Sequence, residues 1–298
     1  MIYTLTLNPA IDYVVQLEQP LTPGAINRSR QEDFQFGGKG INVSNVLRAL
    51  GQATTALGFI AGFTGSALEQ GLENMGLATD FIRLKEGNTR INMKVKASQE
   101  TEINGSGPAI TEDAFAALLS RLELLNDEDV LVLSGSVPKG LSADIYGQIL
   151  KHLQKKNITT VVDTSGAALT HTLPFRPFLI KPNRQELEEI FGTPVSTDEQ
   201  LLACARKLRQ QGARNVLVSL AGDGAFLLDE TGASHRMPCP KGQVINSVGA
   251  GDSMVAGFLA GWLEKRSYAY ALKLGIAAGS ATAFSLGLAD KAAIEALI

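Results

Sequence analysis

The stretch Phe34–Gly51, FQFGGKGINVSNVLRALG, places three glycines around one lysine just before a helical pattern. Glycines let the backbone approach a ligand closely, and Lys39 brings one positive charge to it. A phosphate-binding P-loop needs G-x-x-x-x-G-K-[ST]. Here no glycine stands at the required upstream position, and Gly40 replaces the Ser or Thr. The P-loop is therefore excluded, and the lysine needs another explanation.

Composition and charge restrict the class of protein. The chain has 298 residues, of which 45% are hydrophobic and 19% charged, as in a folded globular protein. This length fits one large α/β domain over residues 1–298. The net charge is −3 and no run of Lys or Arg occurs, so no nucleic-acid partner is expected. Local basic groups can still serve small anionic ligands.

The cysteines and the amino terminus bear on location. Cys204 and Cys239 are the only cysteines, too few for a metal framework and typical of free thiols in a reducing cytosol. The first residues lack the basic region and cleavage site of a signal peptide. No stretch reaches the roughly 18 apolar residues of a membrane span. We expect a soluble cytoplasmic protein without a membrane partner.

Buried-strand patterns alternate with helical patterns along the chain. Strands are predicted at Ile2–Leu7, Thr54–Ile60, Asp129–Leu133, Thr159–Val162, Phe178–Ile180 and Asn215–Ser219. Helices are predicted at Asn42–Leu50, Ser66–Met75, Glu112–Leu125, Ala143–Lys156, Asn183–Phe191 and Asp198–Gln211. Strands that are apolar throughout favour a mostly parallel sheet covered by helices on both faces. Ligands bind such sheets beyond the carboxyl ends of the strands.

One region departs from this rhythm. Residues 88–105 alternate apolar and polar side chains, which is typical of a half-exposed antiparallel hairpin. With residues 12–18 and 28–36 it predicts a small antiparallel sheet, inserted into the main domain as a lid.

A second motif, INSVGAGDSMVAGFLAGWL, begins at Ile245. Gly249, Ala250 and Gly251 precede a helical run, and the N–H groups of a helix amino terminus attract anions. Asp252 falls in the first turn. The residues alone leave two interpretations open: a helix cap after a tight turn, or an anion site beside a carboxylate that accepts a hydroxyl proton during phosphoryl transfer.

The two motifs together resemble those of the ribokinase-like superfamily of ATP-dependent carbohydrate kinases. The resemblance rests on GGKGINVSNVLRALG at 37–51 and INSVGAGDSMVAGF at 245–258, and it extends over the chain from TLNPAIDYVV at Thr6. It implies that Asp252 is the catalytic base and that Gly249, Ala250 and Gly251 form the anion hole.

For the sugar, the resemblance implies binding by Asp12, Gly37, Gly38, Lys39 and Asn42. Lys39 would hold a phosphate that the sugar already carries. Arg90, which lies on the lid, would supply a second cation, because arginine matches phosphate geometry. Asn92 follows Arg90 by two residues and shares its face of the strand. Arg28 is either a third cation or a solvated surface residue, and Ser136 either contacts a sugar hydroxyl or merely occupies a turn.

For the nucleotide, IKPNRQELEEIF from Ile180 resembles the family's N-x-x-E signature. Asn183 and Glu186 would organise Mg²⁺ largely through water, although Glu186 alone reads as an exposed residue of a first helical turn. Lys181 would approach the ATP phosphates. The segment VSLAGDGAFLL from Val218 resembles the nucleotide loop, with Ser219, Ala221, Gly222 and Gly224 lining ATP.

The resemblance implies an ATP- and Mg²⁺-dependent kinase acting on a hexose phosphate. The lid segments TRINMKV and ETEINGSGP favour the branch that converts fructose 1-phosphate to fructose 1,6-bisphosphate. The alternative is phosphorylation of tagatose 6-phosphate to tagatose 1,6-bisphosphate. A remote alternative is a regulator that binds sugar phosphate without turnover. The resemblance also implies a homodimer through the lid and activation by a monovalent cation such as K⁺.

Overall fold

The computed structural model describes residues 1–138 and 140–298, which form thirteen strands and ten α-helices. The strands are β1 (Ile2–Thr6), β2 (Ala10–Leu17), β3 (Ser29–Gly37), β4 (Thr54–Ala61), β5 (Ala78–Leu84), β6 (Arg90–Lys96), β7 (Glu100–Asn104), β8 (Val130–Ser134), β9 (Thr159–Asp163), β10 (Leu179–Ile180), β11 (Asn215–Ser219), β12 (Ala225–Leu228) and β13 (Ser234–Met237). The helices are α1 (Lys39–Ala49), α2 (Gly62–Asn74), α3 (Glu112–Leu122), α4 (Ile145–His152), α5 (Gly166–Thr170), α6 (Arg184–Phe191), α7 (Asp198–Gln210), α8 (Ala250–Lys265), α9 (Tyr268–Ala283) and α10 (Lys291–Glu295).

Nine strands form the main sheet, in the order β13-β12-β11-β10-β9-β8-β1-β4-β5. The seven strands from β11 to β5 pair in parallel, and β12 and β13 add an antiparallel edge. The predicted mostly parallel sheet is confirmed. Its parallel strands end at one edge, where ligand sites of such sheets form.

Helices cover both faces of this sheet because each parallel strand is apolar on both sides. In β8, Val130 and Val132 pack on the face covered by α1, α8 and α9, whereas Leu131 and Leu133 pack on the face covered by α3, α4 and α7. Within the described residues, no helix has the length and apolar character that a membrane crossing requires. Cys204 is buried and Cys239 half-buried, and both are free thiols.

A separate four-stranded sheet, the lid, has the order β3-β2-β6-β7. Its outer pairs, β2 with β3 and β6 with β7, are antiparallel, as the alternating pattern indicated. The central pair, β2 with β6, is parallel, so the lid is a mixed sheet. The pairing is parallel because β2 and β6 both run outward from the main domain, and the long connection between them contains β3, α1, β4, α2 and β5.

The base of the lid packs on α2. Ile11 and Phe36 join a small apolar cluster with Ile41, Leu68 and Leu72. A methyl group on Gly71 would lie 2.2 Å from the Phe36 ring, so the backbone of α2 touches this ring directly. This close packing fixes the lid where it leaves the main domain.

The structure differs from the sequence expectation at several boundaries. Helix α1 begins at Lys39 instead of Asn42, because Gly38 has φ 135° and serves as the residue before the first turn. Strands β5, β12 and β13 were not expected. They lie at the two ends of the main sheet, and two of them, β5 and β13, are edge strands with a neighbour on one side only.

Candidate active site

Three buried polar residues lie side by side at the carboxyl edge of the main sheet. Thr6 pairs with Ser134 and Ser134 with Asp163 across β1, β8 and β9. The hydroxyl oxygens of Thr6 and Ser134 are buried and have no hydrogen-bond partner among the described residues. Tyr146 holds the adjacent turn, since its hydroxyl donates to the carbonyl oxygens of Ser134 and Gly135 at 3.1 Å. Unpartnered polar atoms at such an edge indicate a site for a polar ligand.

Asp163 is held by two lysines. Its carboxylate lies 3.1 Å from the Lys181 amine and 3.6 Å from the Lys39 amine. Burial alone would raise the pKa of Asp163, but the two ammonium groups lower it below its usual value. Asp163 in turn is the main cause that raises the pKa of Lys39. The sheet edge thus carries a buried carboxylate shared by two cations, and no sequence motif indicated it.

The start of α1 explains the glycines around Lys39. Gly38 adopts φ 135°, and a methyl group there would lie 2.7 Å from the Thr6 side chain. A methyl group on Gly40 would lie 2.7 Å from the Thr6 hydroxyl. These glycines therefore let α1 begin directly against β1. Lys39 is consequently the first residue of α1, where the helix dipole disfavours a cation, and Asp163 offsets this cost.

Asp252 lies in the first turn of α8, which begins after Gly249 at φ 80°. Its side chain is buried and accepts a hydrogen bond of 2.8 Å from the Asn42 amide. Burial and the charge of Asp163 raise the pKa of Asp252 to about 6, against the opposing effect of Lys39. A carboxylate with this pKa can accept a proton near neutral pH.

The amino terminus of α8 points donors toward the same place. The Ala250 N–H already donates to the Ser247 carbonyl oxygen at 3.2 Å. A first helical turn leaves the N–H groups of Gly251 and Asp252 without intrahelical partners. A methyl group on Gly251 would lie 3.3 Å from the Lys181 amine, so this turn and the lysine adjoin. The combination favours binding of an anion.

The lid contributes Asp12 from β2 and Asn92 from β6. The Asn92 amide donates to one carboxylate oxygen of Asp12 at 2.8 Å. The Lys94 amine lies 3.3 Å from the other oxygen. Asp12 and Asn92 are register partners and therefore share one face of the lid, and both line a cavity together with Lys39 of the main domain.

A central cavity of about 440 Å³ unites most of the predicted site residues. It is lined by Ala10, Asp12, Gly38, Lys39, Asn42, Arg90, Asn92, Lys181, Asn183, Glu186, Ser219, Val248, Gly249, Gly251 and Asp252. Residues from the lid, α1, α6 and α8 therefore face one space. Gly37 lines the adjoining cavity of about 420 Å³, which also contacts Asp12 and Asn42.

A smaller cavity of about 300 Å³ opens from the central one. It shares Lys39 and Arg90 with the central cavity and adds Ser136 and the unpartnered hydroxyls of Thr6 and Ser134. The Arg90 guanidinium is anchored by a 3.1 Å hydrogen bond from Nε to the Asn8 carbonyl oxygen. Two cations with several hydroxyl groups are suited to a phosphate.

A large cleft of about 710 Å³ adjoins the central cavity on the other side. Asn183, Ser219 and Gly251 line both spaces. The cleft is also lined by Ala221, Gly222, Gly224, Ala250, Cys239, Ser280 and the apolar Met254, Ile276 and Phe284. An apolar pocket that ends at a helix amino terminus fits a nucleotide, with its base in the pocket and its phosphates at the helix.

Asn183 and Glu186 form a capping box at the start of α6. The Asn183 side chain accepts from the Glu186 N–H, and the Glu186 carboxylate accepts from the Asn183 N–H, each at 2.8 Å. Glu186 keeps its second carboxylate oxygen and lines both the central and the smaller cavity. Within the described part of the chain, no group of three His, Cys, Asp or Glu could hold a metal. This donor set fits Mg²⁺ held mainly by phosphates and water.

The structure separates one predicted residue from the rest. Arg28 lies exposed in the connection between β2 and β3 and lines none of the cavities described above. The β2–β3 hairpin carries this connection away from the main domain, so Arg28 does not reach the site within one chain. Asp163 and Lys94 were missed. A signal for Asp163 exists, because it directly follows a predicted strand, at the edge where ligands bind.

Comparisons with known proteins show which family the chain resembles. The model of the pfkB family carbohydrate kinases matches residues 2–294. The chain is 45% identical to a 1-phosphofructokinase of Bacillus subtilis, covering all of this chain and 97% of the relative. It is 37% identical to a D-tagatose-1-phosphate kinase of Bacillus licheniformis, covering 99% of this chain and 96% of the relative.

Solved structures of a phosphofructokinase are also similar to this chain. Phosphofructokinase-2 of Escherichia coli is 30% identical and covers 99% of this chain, with 97% of its own chain matched. It superposes with a TM-score of 0.92 in its complex with fructose-6-phosphate and 0.93 in its complex with potassium.

Proposed function

The chain belongs to the pfkB family of carbohydrate kinases, and from this premise we propose that it transfers the γ-phosphate of ATP to fructose 1-phosphate. The product is fructose 1,6-bisphosphate, and the acceptor is the hydroxyl on C6. One observation carries the proposal: a base with a raised pKa lies in a cavity between a two-cation pocket and an apolar cleft. In this proposal the two-cation pocket holds the phosphate of the sugar, the central cavity holds the acceptor hydroxyl and the apolar cleft holds the nucleotide.

In the mechanism we propose, Lys39 and Arg90 hold the phosphate already present on C1. Asp12 accepts hydrogen bonds from ring hydroxyls, with Asn92 and Asn42 beside it. Asp252 accepts the proton of the C6 hydroxyl as its oxygen attacks the γ-phosphorus, and the bond from that phosphorus to the bridging oxygen of ADP breaks. The N–H groups of Gly251 and Asp252 and the Lys181 ammonium stabilise the charge on the transferring group. The lid covers the site and excludes water.

The nucleotide occupies the large cleft in this proposal, along Ser219, Ala221, Gly222 and Gly224. Mg²⁺ supplies neutralisation of phosphate charge when bound. Glu186 and Asn183 would hold it through water, as the capping box and the single free carboxylate oxygen favour. Activation by a monovalent cation is also proposed, in line with the potassium complex of the Escherichia coli protein. The proposed compartment is the cytoplasm.

The choice of sugar phosphate has three candidates. The relative at 45% identity is named for fructose 1-phosphate, and another is named for tagatose 1-phosphate. The sequence resemblance gives tagatose 6-phosphate as the alternative substrate, whereas the name of the tagatose relative puts the phosphate on C1. Fructose 6-phosphate is bound by the Escherichia coli protein. We favour fructose 1-phosphate because its relative shares the most residues of the three proteins compared.

The test measures kcat/KM for the three sugar phosphates with one enzyme preparation. We expect fructose 1-phosphate to exceed the others by at least about tenfold, which is about 1.4 kcal/mol of transition-state binding. If tagatose 1-phosphate or fructose 6-phosphate wins by this margin, the proposed substrate is wrong, although a sugar-phosphate kinase remains. Binding of all candidates without ADP formation would instead support the regulator.

We also propose a homodimer through the outer face of the lid. Phe34, Tyr13, Met93 and Ile103 are successive register partners across the four strands, so they form one row on that face. Phe34 and Ile103 are 58% and 62% exposed, and Tyr13 stacks on Phe34 at 4.6 Å. An apolar row of this kind on a sheet is typical of an interface.

Sedimentation velocity on the wild type and on Phe34→Asp tests this interface. We expect a dimer for the wild type and a monomer for the variant, since a charge buried in an apolar contact loses its solvation without a compensating partner. The exposed Phe63 lies outside the lid, in α2, and Phe63→Asp is the matched control that should leave the dimer intact. A dimer that survives Phe34→Asp places the contact elsewhere.

A further inference from the structure

Lys94 is a buried cation on the lid that the proposed mechanism does not use. Its side chain is only 10% exposed, although the lid is a single sheet with much exposed surface. The residues that line the central cavity include its strand neighbour Asn92 but not Lys94. Burying a lysine is costly unless a carboxylate compensates its charge. Lys94 therefore needs a reason for its position.

The partner of this lysine is Asp12. The Lys94 amine lies 3.3 Å from Oδ2 of Asp12, and its next carboxylate, on Glu102, is 4.0 Å away and 42% exposed. Oδ1 of Asp12 accepts from the Asn92 amide at 2.8 Å. The Asn92 carbonyl oxygen accepts from the Gly105 N–H at 3.2 Å, which fixes the orientation of this amide. Asp12 thus has a donor on each oxygen, and the plane of its carboxylate is set by the lid alone.

A fixed carboxylate can discriminate hydroxyl groups by their direction. Each oxygen of Asp12 retains a lone pair for a further donor, and the group borders the cavity where the sugar would lie. Fructose and tagatose differ only in the orientation of the hydroxyl on C4. A rigid acceptor bonds one of the two orientations and leaves the other unpaired, whereas a mobile acceptor follows both.

We propose that Lys94 is a positioning residue that fixes Asp12 and thereby sets the preference between sugar phosphates that differ in hydroxyl orientation. This inference rests on the proposed function. Lys94 acts through Asp12 and touches no substrate.

The experiment compares Lys94→Met, Lys94→Gln and Lys94→Arg with the wild type on fructose 1-phosphate and tagatose 1-phosphate. For Lys94→Met we expect KM for fructose 1-phosphate to rise about 10- to 100-fold, the range for loss of a charged hydrogen-bonded contact. The ratio of kcat/KM between the two epimers should fall at least about fivefold toward unity, while KM for ATP changes less than about twofold. Lys94→Arg keeps the ion pair and should restore most of the preference. Lys94→Gln provides the neutral variant if Lys94→Met does not fold.

Lys96 offers a matched control. It lies two residues further on the same face of β6, is half-buried, and within the described residues makes no ion pair. Lys96→Met should leave both KM and the epimer ratio unchanged. If Lys96→Met alters the ratio as much as Lys94→Met, or if Lys94→Met raises KM at an unchanged ratio, the role is structural and the inference is wrong.

A double-mutant cycle with Asp12→Asn tests the route of the effect. If Lys94 acts through Asp12, Lys94→Met should change KM less than about twofold in the Asp12→Asn background. Additive effects would mean that Lys94 contacts the substrate itself. If the wild type phosphorylates neither fructose 1-phosphate nor tagatose 1-phosphate, the proposed function is wrong. The ratio of kcat/KM between fructose 6-phosphate and tagatose 6-phosphate is then measured for the same variants. A preserved ratio there overturns the inference independently.

Discussion

Asp252→Asn should lower kcat by roughly 10²- to 10⁴-fold, the usual range for loss of a general base. KM for ATP and for the sugar phosphate should change little, because the amide keeps the shape of the side chain and its oxygen can still accept from Asn42. Steady-state kinetics of both substrates measure this. Turnover close to wild type would remove Asp252 from the mechanism.

The pH profile tests the same residue. Since burial and Asp163 raise the pKa of Asp252 to about 6, the base loses activity as the pH falls through about 6. The wild-type kcat/KM, which reports the free enzyme, should show this acidic limb, and the residual activity of Asp252→Asn should lack it. A carboxylate with a raised pKa is less stable ionised in the folded than in the unfolded state, so its charge opposes folding at neutral pH. We therefore expect that Asp252→Asn, which removes this charge, does not lower the Tm of the protein.

Asp113→Asn is the matched control for Asp252→Asn. Asp113 also lies in the first turn of a helix, α3, but it is exposed and far in sequence from every predicted site residue. Its replacement should leave kcat and the acidic limb unchanged. A comparable loss in Asp113→Asn would mean that the effect follows from helix electrostatics in general.

Asp163→Ala should lower the free energy of unfolding by about 3–5 kcal/mol, as expected when one partner of a buried ion pair is removed. Lys181 is 5% exposed and would remain buried without its carboxylate, next to Lys39. Urea unfolding at neutral pH measures the loss. Asp163→Asn should lose less, because an amide oxygen still accepts from an ammonium group.

Two comparisons make this prediction specific to burial. Asp80 pairs with Arg121 at 2.7 Å, but this pair is partly exposed, and Asp80→Ala should cost less than about 1 kcal/mol. Lys39→Ala should also be mild, since Lys39 is 43% exposed and Asp163 keeps Lys181. Equal losses for Asp163→Ala and Asp80→Ala would contradict the buried pair.

The pH dependence of the loss has a defined sign. The folded-state pKa of Asp163 lies below its usual value, so the carboxylate contributes stability at neutral pH that is lost only when the pH falls through that lowered pKa. The difference between wild type and Asp163→Ala should therefore stay constant down to roughly pH 5 and shrink in stronger acid. A difference that grows on acidification would mean that another group is responsible.

Local patterns in the chain were enough for much of the site. The carboxylate of Asp252 in a first helical turn was predicted from the small residues before an apolar run, and the structure has it there. The alternation in residues 88–105 predicted strands that carry Arg90 and Asn92 on one face, and both line the central cavity. Such patterns suffice because helix and strand periodicity depend on neighbouring residues.

Other features depend on contacts between distant residues. The order of the strands places Asp163 beside Lys39 and Lys181. The position of Asp163 after a predicted strand indicates the edge where ligands bind, but it does not indicate these two partners. The parallel pairing of β2 with β6 brings Lys94 within reach of Asp12. Arg28 illustrates the converse, since its charge suggested a role that its place in the β2–β3 connection does not support within one chain.

The alternation of strands and helices and the lid segments could be predicted from the chain, because each depends on propensity and periodicity over a few residues. The roles of the two motifs came from their resemblance to a known family. The tertiary structure decided which of the charged residues meet. Asn42 and Asp252 are 210 positions apart and form a 2.8 Å hydrogen bond. A contact between residues so far apart in sequence forms only when the sheet has aligned the ends of its strands. The raised pKa of Asp252 and the pairing of Lys39 and Lys181 with Asp163 therefore depend on the tertiary structure.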